Sequence, residues 1–422
     1  MFNQGLSLDQ APPIGVVLRF FLTAPLFGVL AALGLMFAGD ATVGHWEAPR
    51  MVAVIHWLVL GVAGQTMIGA LFQMLPVIAG APIKAAEYHA RWIHALMSLG
   101  VLMLSGALWM GQPFLFHPAL ALLLGSLGFT VGLMLLKLLK VENKTPSVVG
   151  MIVALLSLGL GLIFATLVTL VFMGVDIPLP VTVLRALHLH FMLFGWIAVL
   201  VMAVAFQVIE MFYVTPPYPE ILRQWLPIGI LSLLVLQVPA YFMIDSLIDW
   251  IDGVLGVLLV VFASVTLRRL SQRKRPVADT TVWLWRIGMV ALALSAAFYI
   301  GYLVLALSPL FDLTAVGFGL FFLSVIFAMS YKIIPFLVWF HLNAKGVMET
   351  PMMGDIVPAR NMRWHLWLHG ATIATALSAA LLQMPSLWRW TGVFLLAEVL
   401  IHGANLLKAT IVYNKFKDKG IL

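Results

Sequence analysis

The chain alternates long apolar runs with short stretches bounded by Pro, Gly and charge, and the runs set the architecture. Each exceeds the roughly 20 residues a helix needs to cross hydrocarbon. They predict twelve helices, at about residues 16–38, 51–78, 87–111, 116–140, 147–174, 182–213, 219–243, 250–271, 281–307, 313–341, 362–383 and 388–415. The predicted fold is all-α and polytopic, a single transmembrane domain over 1–422. In a bilayer each backbone group needs an internal partner, which helices supply and open sheets do not.

Repeated residues subdivide the run of helices. Helix two carries His56, Gly61 and Phe72-Gln73-Met74-Leu75-Pro76. Helix six carries His190, Gly195 and Phe206-Gln207-Val208-Ile209-Glu210. The offset is constant at 134 residues (56 to 190, 61 to 195, 73 to 207). Helix ten, with Tyr331-Lys332-Ile333-Ile334-Pro335, matches the second half of this pattern. Helices three, seven and eleven open on Trp92-Ile93-His94, Trp225-Leu226-Pro227 and Trp367-Leu368-His369. Three pseudo-repeats of four helices follow, at about 1–144, 145–278 and 279–422.

Composition narrows the class. The 422 residues are 63% hydrophobic and only 10% charged, against roughly 25% charged in soluble domains. The lipid bilayer is therefore the expected partner, and no polar stretch is long enough for a soluble domain. The basic residues hug helix ends, so nucleic acid is excluded as a partner. There is no cysteine, which excludes disulfides, thiolate ligation and Cys-x-x-Cys-His haem attachment. Of 24 Lys and Arg, only Arg50, Arg185 and Arg389 fall at odd-to-even connections, and the rest lie toward the other side. Asp40, Asp176, Asp245, Asp249 and Asp312 fall on the side poor in Lys and Arg. The positive-inside rule then makes both termini cytoplasmic in a bacterial-type inner membrane. The start, MFNQGLSLDQAPP, has no basic region followed by a short apolar stretch, so no cleaved leader is expected.

The candidate chemistry lies in buried ionisable groups, which are costly inside a membrane and stand as functional candidates. His56 sits about 8 Å below the outer face, with His188 and His190 at similar depth. His94, His365 and His369 lie near the opposite ends of helices three and eleven. Neutral imidazole ligates haem iron or copper, and a bundle interior houses such cofactors. The same rings could instead satisfy backbone carbonyls or cap helices. His188 and His190, two residues apart, diverge around the helix and cannot easily share a partner. His365 and His369 share a face and suit either a metal or an interfacial anchor beside Trp364 and Trp367. Gln73, Gln207, Glu210, Lys332, Glu398 and His402 could line a polar path. Lys332 could meet Glu210 or a cofactor carboxylate, or snorkel. Glu398 and His402 could form a relay or a hydrogen-bonded pair. Asp249 and Asp252 read as outer-surface charges opening helix eight. No phosphate-binding motif is present.

The three-by-four plan, with His56, Met67-Ile68-Gly69 and Pro76-Val77-Ile78-Ala79-Gly80 on helix two, resembles the catalytic subunit of haem–copper oxidases and nitric oxide reductases. The resemblance covers the whole chain in architecture and helices two and six in motif. It implies three arcs of helices, a low-spin haem ligand at the place of His56 and a copper-ligand histidine matched by His188 or His190. Two departures limit it: 313–335 on helix ten holds no histidine, and neither does 219–244 on helix seven. The family's binuclear centre therefore cannot be assembled. The implied protein is a divergent member keeping one haem or metal site, with haem b or copper as cofactor and a cytochrome or other redox subunit as partner. A second resemblance is to the NnrS family, also twelve-helix and implicated in nitric oxide stress. Its Trp-His-x-His-Glu-Met stretch is loosely matched by Leu187-His188-Leu189-His190-Phe191-Met192. Two other functions fit the sequence: a transporter with a polar path, although transporter repeats are commonly inverted, and a non-catalytic partner subunit.

Overall fold

The computed structural model describes residues 10–275, 277–347 and 349–417. The expected absence of a leader, along with Lys419 and the side chain of Asp245, lies outside the described residues. Twelve helices are long and apolar enough to cross a bilayer. They are α1 (Ile14–Phe37), α2 (Pro49–Ala79), α3 (Ala86–Met110), α4 (Pro113–Leu139), α5 (Pro146–Phe172) and α6 (Val181–Tyr213). The rest are α7 (Glu220–Met243), α8 (Ser246–Ser271), α9 (Thr280–Leu305), α10 (Ser308–Ala344), α11 (Ala359–Leu382) and α12 (Pro385–Phe416). Among the described residues there is no β-strand. The chain is an all-α polytopic membrane protein, as its apolar runs require.

Helix starts follow local chemistry. Thr145 caps α5 by accepting from the Val148 N–H, with Pro146 at the first helical position, where its missing donor costs nothing. Asp279 caps α9, accepting from the Val282 N–H at 3.0 Å and the Thr281 hydroxyl at 2.6 Å. Pro25, Pro76, Pro227, Pro239 and Pro335 lie inside helices, a placement membrane helices tolerate.

The chain separates into two compact units. One comprises the described residues of Leu71–Pro276 and Met289–Phe318; the other comprises those of Pro13–Ala70, Val277–Gly288 and Gly319–Leu422. The boundaries at 70, 288 and 318 fall inside α2, α9 and α10. In the first unit α3 packs on α4, α5 on α6, and α7 on both α5 and α8. In the second, α1 packs on α12 and on the first part of α2, and α11 packs on α12.

Three helices change pitch within their length. The backbone is π-helical over Trp57–Gly64 in α2, Leu124–Gly128 in α4 and Phe191–Ala198 in α6. The α2 and α6 segments begin one residue after His56 and His190 and end at the same offset of 134 (57 to 191, 64 to 198). The pairing of these two helices is thus a backbone property as well as a sequence one. α10, which the sequence matches to the second half of this pattern, continues without such a segment.

The π-helical stretches of α2 and α6 each hold the repeated glycine against a preceding helix. A Cβ on Gly61 would lie 2.4 Å from the Phe27 Cβ of α1, and one on Gly195 would lie 2.5 Å from the Ser157 Cβ of α5. Small residues let membrane helices approach closely. These glycines therefore seat neighbouring helices. Gly61→Ala should destabilise the detergent-solubilised protein by about 1–3 kcal/mol, the usual cost of overpacking. Gly132→Ala, with nothing within 4 Å of the new methyl, should be silent. Thermal unfolding of the two variants beside wild type measures this.

Candidate functional site

Two buried polar clusters form, one in each compact unit. In the unit holding α11 and α12, three helices each present a stripe at near-heptad spacing, which puts the residues on one face. α10 gives Ser324, Phe327 and Tyr331; α11 gives His365, His369 and Thr372; α12 gives Glu398, His402 and Asn405. Glu398, His365 and His369 are fully buried. The Glu398 carboxylate meets His369 Nδ1 at 2.6 Å and accepts from the Thr372 hydroxyl at 2.6 Å. His365 Nε2 stands 3.5 Å from the same carboxylate oxygen. His369 Nε2 lies 2.7 Å from Ser324 Oγ. Tyr331 Oη is 2.8 Å from His365 Nδ1 and accepts from Asn405 Nδ2 at 2.9 Å. Asn361 donates to Asn405 Oδ1 at 3.1 Å. Phe327 lies edge-on to His365, His369 and His402, with ring centroids 4.6, 5.7 and 4.8 Å away.

The sequence named His365 and His369 as cofactor candidates and Glu398 and His402 as a pair. The structure joins all four, but by different partners. Glu398 bonds across to α11, whereas His402 packs its ring on His365 at 5.4 Å and its Nδ1 has no hydrogen-bond partner. Both nitrogens of His369 are spent on protein partners, so no lone pair is available for a metal in this arrangement. Tyr331, Asn405, Ser324 and Thr372 were missed as members. Their signal was the seven-residue spacing from Glu398 to Asn405 and from His365 to Thr372.

The other unit builds its cluster from α6, α7, α8 and α9. Asp252 is buried, with 3% of its surface exposed, which corrects its reading as an outer-surface charge; Asp249 is exposed as expected. Asp252 accepts from Gln237 Nε2 through one carboxylate oxygen and from the Tyr299 hydroxyl, at 2.7 Å, through the other. His190 Nε2 lies 3.6 Å from Asp252 Oδ1, too long for a hydrogen bond but close enough for the charge to orient the ring. His190 is buried, its ring stacks on Phe194 at 5.5 Å, and its Nδ1 has no hydrogen-bond partner. His188 turns to α5, with Nδ1 3.1 Å from the Gly161 carbonyl. The two histidines thus diverge as their spacing requires.

His56, in the other unit, holds Nδ1 2.7 Å from the Val52 carbonyl of its own helix. The carbonyl can only accept, so Nδ1 carries the proton and Nε2 the lone pair. His94 is half-buried on α3. Among the described residues, no three His, Asp or Glu side chains are placed to share one metal ion.

The remaining polar-path candidates are dispersed. Gln73 is buried and neither amide atom has a hydrogen-bond partner. Gln207 is half-buried. Glu210 accepts from the Tyr218 N–H at 3.1 Å. Tyr218, buried just past α6, bonds Thr266 at 3.0 Å, and burial pushes its phenol above the ordinary range. Lys332 pairs with Asp279 at 2.6 Å instead of with Glu210.

No known family matches the chain, and no curated protein matches its sequence.

Asp279 supplies a pH test. Burial raises its carboxyl, but the Lys332 ammonium and the Thr281 and Val282 hydrogen bonds outweigh that and hold it below the ordinary aspartate range. A lowered carboxyl contributes stability fully above its unfolded value, near about pH 4, and loses it as pH falls through the lowered one. The stability gap between wild type and Asp279→Asn should therefore be constant at neutral pH and close under acid. Detergent-phase melts at a series of pH values measure it.

Proposed function

We propose that this chain is a membrane haem-binding protein, related in architecture to haem–copper oxidases, that handles electrons or a diatomic gas such as nitric oxide or oxygen. The observation that carries the reading is the matched pair of imidazoles, His56 and His190, each opening an eight-residue π-helical segment at the same repeat offset. π-helical segments are rare and concentrate at functional sites. Their second support is chemical. A metal-binding imidazole usually has its other nitrogen held by an oxygen partner, which fixes the tautomer. His56 has Val52 in that role; His190 Nε2 faces Asp252 at 3.6 Å, where the charge orients the ring without a hydrogen bond to hold it.

The donor set fits haem iron, or copper as the alternative, through His56 Nε2 and His190 Nδ1. His188 is the substitute on α6, although its Nδ1 is turned to Gly161. The fit stops at the imidazoles, because Phe27 and Ser157 fill the space beside the repeated glycines. Haem b, when bound, supplies a one-electron couple and an iron that binds small gases. The chain's own work is to fix the His56 tautomer, to orient the His190 ring beside Asp252 and to exclude water with its apolar helices. The absence of histidine from 313–335 and 219–244 separates this reading from an oxygen-reducing proton pump. The placement of Lys and Arg supports a bacterial-type cytoplasmic membrane with both termini inside. A cytochrome or similar redox subunit is the partner this function requires.

A second reading, a permease with a polar path, is favoured by the buried amide of Gln73 and the Glu398 cluster. Solute uptake by proteoliposomes whose protein carries no haem decides for it.

The first reading is tested by the absorption spectrum of protein purified from haem-replete cells, with elemental analysis for iron and copper. Wild type should show a Soret band, or bound copper in its place. His56→Ala and His190→Ala should each lose or shift that signal, while His45→Ala, at an exposed position, should keep it. Wild-type protein with neither signal overturns the reading.

A further inference from the structure

The hydrogen bonds around His369 count protons, and the count does not come out for an ordinary neutral histidine beside an ionised glutamate. Four groups stand in series: the Leu320 carbonyl, the Ser324 hydroxyl, the His369 ring and the Glu398 carboxylate. The links are 2.6 Å from Ser324 Oγ to Leu320 O, 2.7 Å from Ser324 Oγ to His369 Nε2, and 2.6 Å from His369 Nδ1 to Glu398 Oε1. Each link needs one proton, because two oxygens, or an oxygen and a nitrogen, that close without a proton between them repel. The Leu320 carbonyl has none to give. Ser324 brings one and a neutral His369 brings one. A third is required.

That proton has two places to sit. His369 can be an imidazolium facing an ionised Glu398, or Glu398 can be a carboxylic acid donating to a neutral imidazole. In both arrangements the pair holds two protons and is electrically neutral, which suits a fully buried site where an unbalanced charge is expensive. The Thr372 hydroxyl stands 2.6 Å from the second carboxylate oxygen and 3.1 Å from the Leu368 carbonyl.

The surroundings give the proton a route. Tyr331 accepts from Asn405 and therefore donates to His365 Nδ1, which places the His365 proton on Nε2, facing Glu398 at 3.5 Å. The donors from Asn405 through Tyr331 and His365 all point toward Glu398. A proton entering at Tyr331 displaces its hydroxyl proton onto His365 Nδ1; the Nε2 proton then faces Glu398 across 3.5 Å, a gap that the ring must close for the proton to pass. When the pair gives its proton up, the Ser324 hydroxyl turns from Leu320 to His369 Nε2, and the carboxylate is left with net charge −1.

Among the described residues of α10 to α12 and of the elements known to pack on α12, few groups face the pair. α10 brings Tyr331, α11 brings His365, and α12 brings His402. α1, packed along α12, has no ionisable side chain from Phe20 to Phe37. The short turn Met353–Ile356, which also touches α12, carries Asp355, which is exposed. No lysine or arginine is among them.

We propose that His369 and Glu398 form a proton-binding site in the helix bundle, holding one exchangeable proton that reaches them by way of Tyr331 and His365. The proposal stands apart from the haem reading, since neither His56 nor His190 takes part.

The experiment is nitrogen-15 NMR of histidine-labelled full-length protein in lipid bilayers, with infrared spectra of the same samples, at neutral pH. His369→Gln assigns the His369 signals and Glu398→Gln assigns the carboxyl band. Expected is one of two signatures: a His369 ring protonated on both nitrogens, or a Glu398 carboxylic acid band that shifts in heavy water. A His369 ring carrying one proton together with an ionised Glu398 overturns the proposal. Ser324→Ala, a small change that removes both links made by the Ser324 hydroxyl and leaves only His369 to Glu398, which one proton satisfies, should show that singly protonated state at the same pH. An unchanged two-proton signature in Ser324→Ala would equally count against the argument. If Glu398→Gln does not fold, the wild-type and Ser324→Ala spectra still decide.

Discussion

Hydrocarbon offers no hydrogen-bond partner, and that constraint shapes every polar position inside this chain. A carboxylate such as Glu398, fully buried on α12, can exist there only if other helices bring donors to it. Thr372 and His369 of α11 do so, and Ser324 of α10 completes the chain. Asp252 is handled by the same logic in the other unit, with Gln237 of α7 and Tyr299 of α9 as donors. Such networks tie helices together at defined registers, because the partners meet only when the stripes on each helix align. Removing one member leaves the rest buried and unpartnered, a loss of about 3–5 kcal/mol for a broken buried ion pair. The clusters are therefore structural commitments before they are functional ones.

The histidines fall into two kinds, each with a member in both units. His369 has both ring nitrogens engaged by protein oxygens, and His188 turns to the backbone of α5. His56 and His190 instead have one nitrogen directed at an oxygen, and in the proposed haem reading the other nitrogen is the ligand atom. Both also mark the point where the backbone leaves the α-helix for the wider π pitch. A rarely populated backbone form recurring at the same offset beside the same residue type is difficult to assign to packing alone. It is the reason the haem reading rests on these two rings and not on the more heavily hydrogen-bonded cluster.

Much of the architecture was legible in the amino-acid sequence because one force dominates it. Apolar run length set the number and position of the helices, with errors at their ends. α10, expected at 313–341, extends over Ser308–Ala344, since its flanking Ser, Pro and Asn do not stop a helix by themselves. The partnership of α2 and α6 was visible as matched His, Gly and Gln, but their π-helical segments were not, for π pitch has no local sequence signature. The repeated glycines were visible but their use was not, because Phe27 and Ser157, far off in sequence, occupy the space beside them. Asp252 read as a helix-opening surface charge because its partners, Gln237 and Tyr299, sit on other helices. Lys332 likewise found Asp279, 53 residues away, where sequence offered Glu210 or the interface. Short-range spacing carried more than was taken from it, since Asn405 and Thr372 follow Glu398 and His365 by seven residues.

The account turns on whether His56 and His190 grip a cofactor, and an electron cryo-microscopy map of the protein, purified in lipid from haem-replete cells, addresses that most directly. The account predicts density continuous with Nε2 of His56 or Nδ1 of His190 that no side chain explains, of a size matching a porphyrin or a metal ion. Imidazoles closed over by neighbouring side chains, with no such density at either nitrogen, would contradict it.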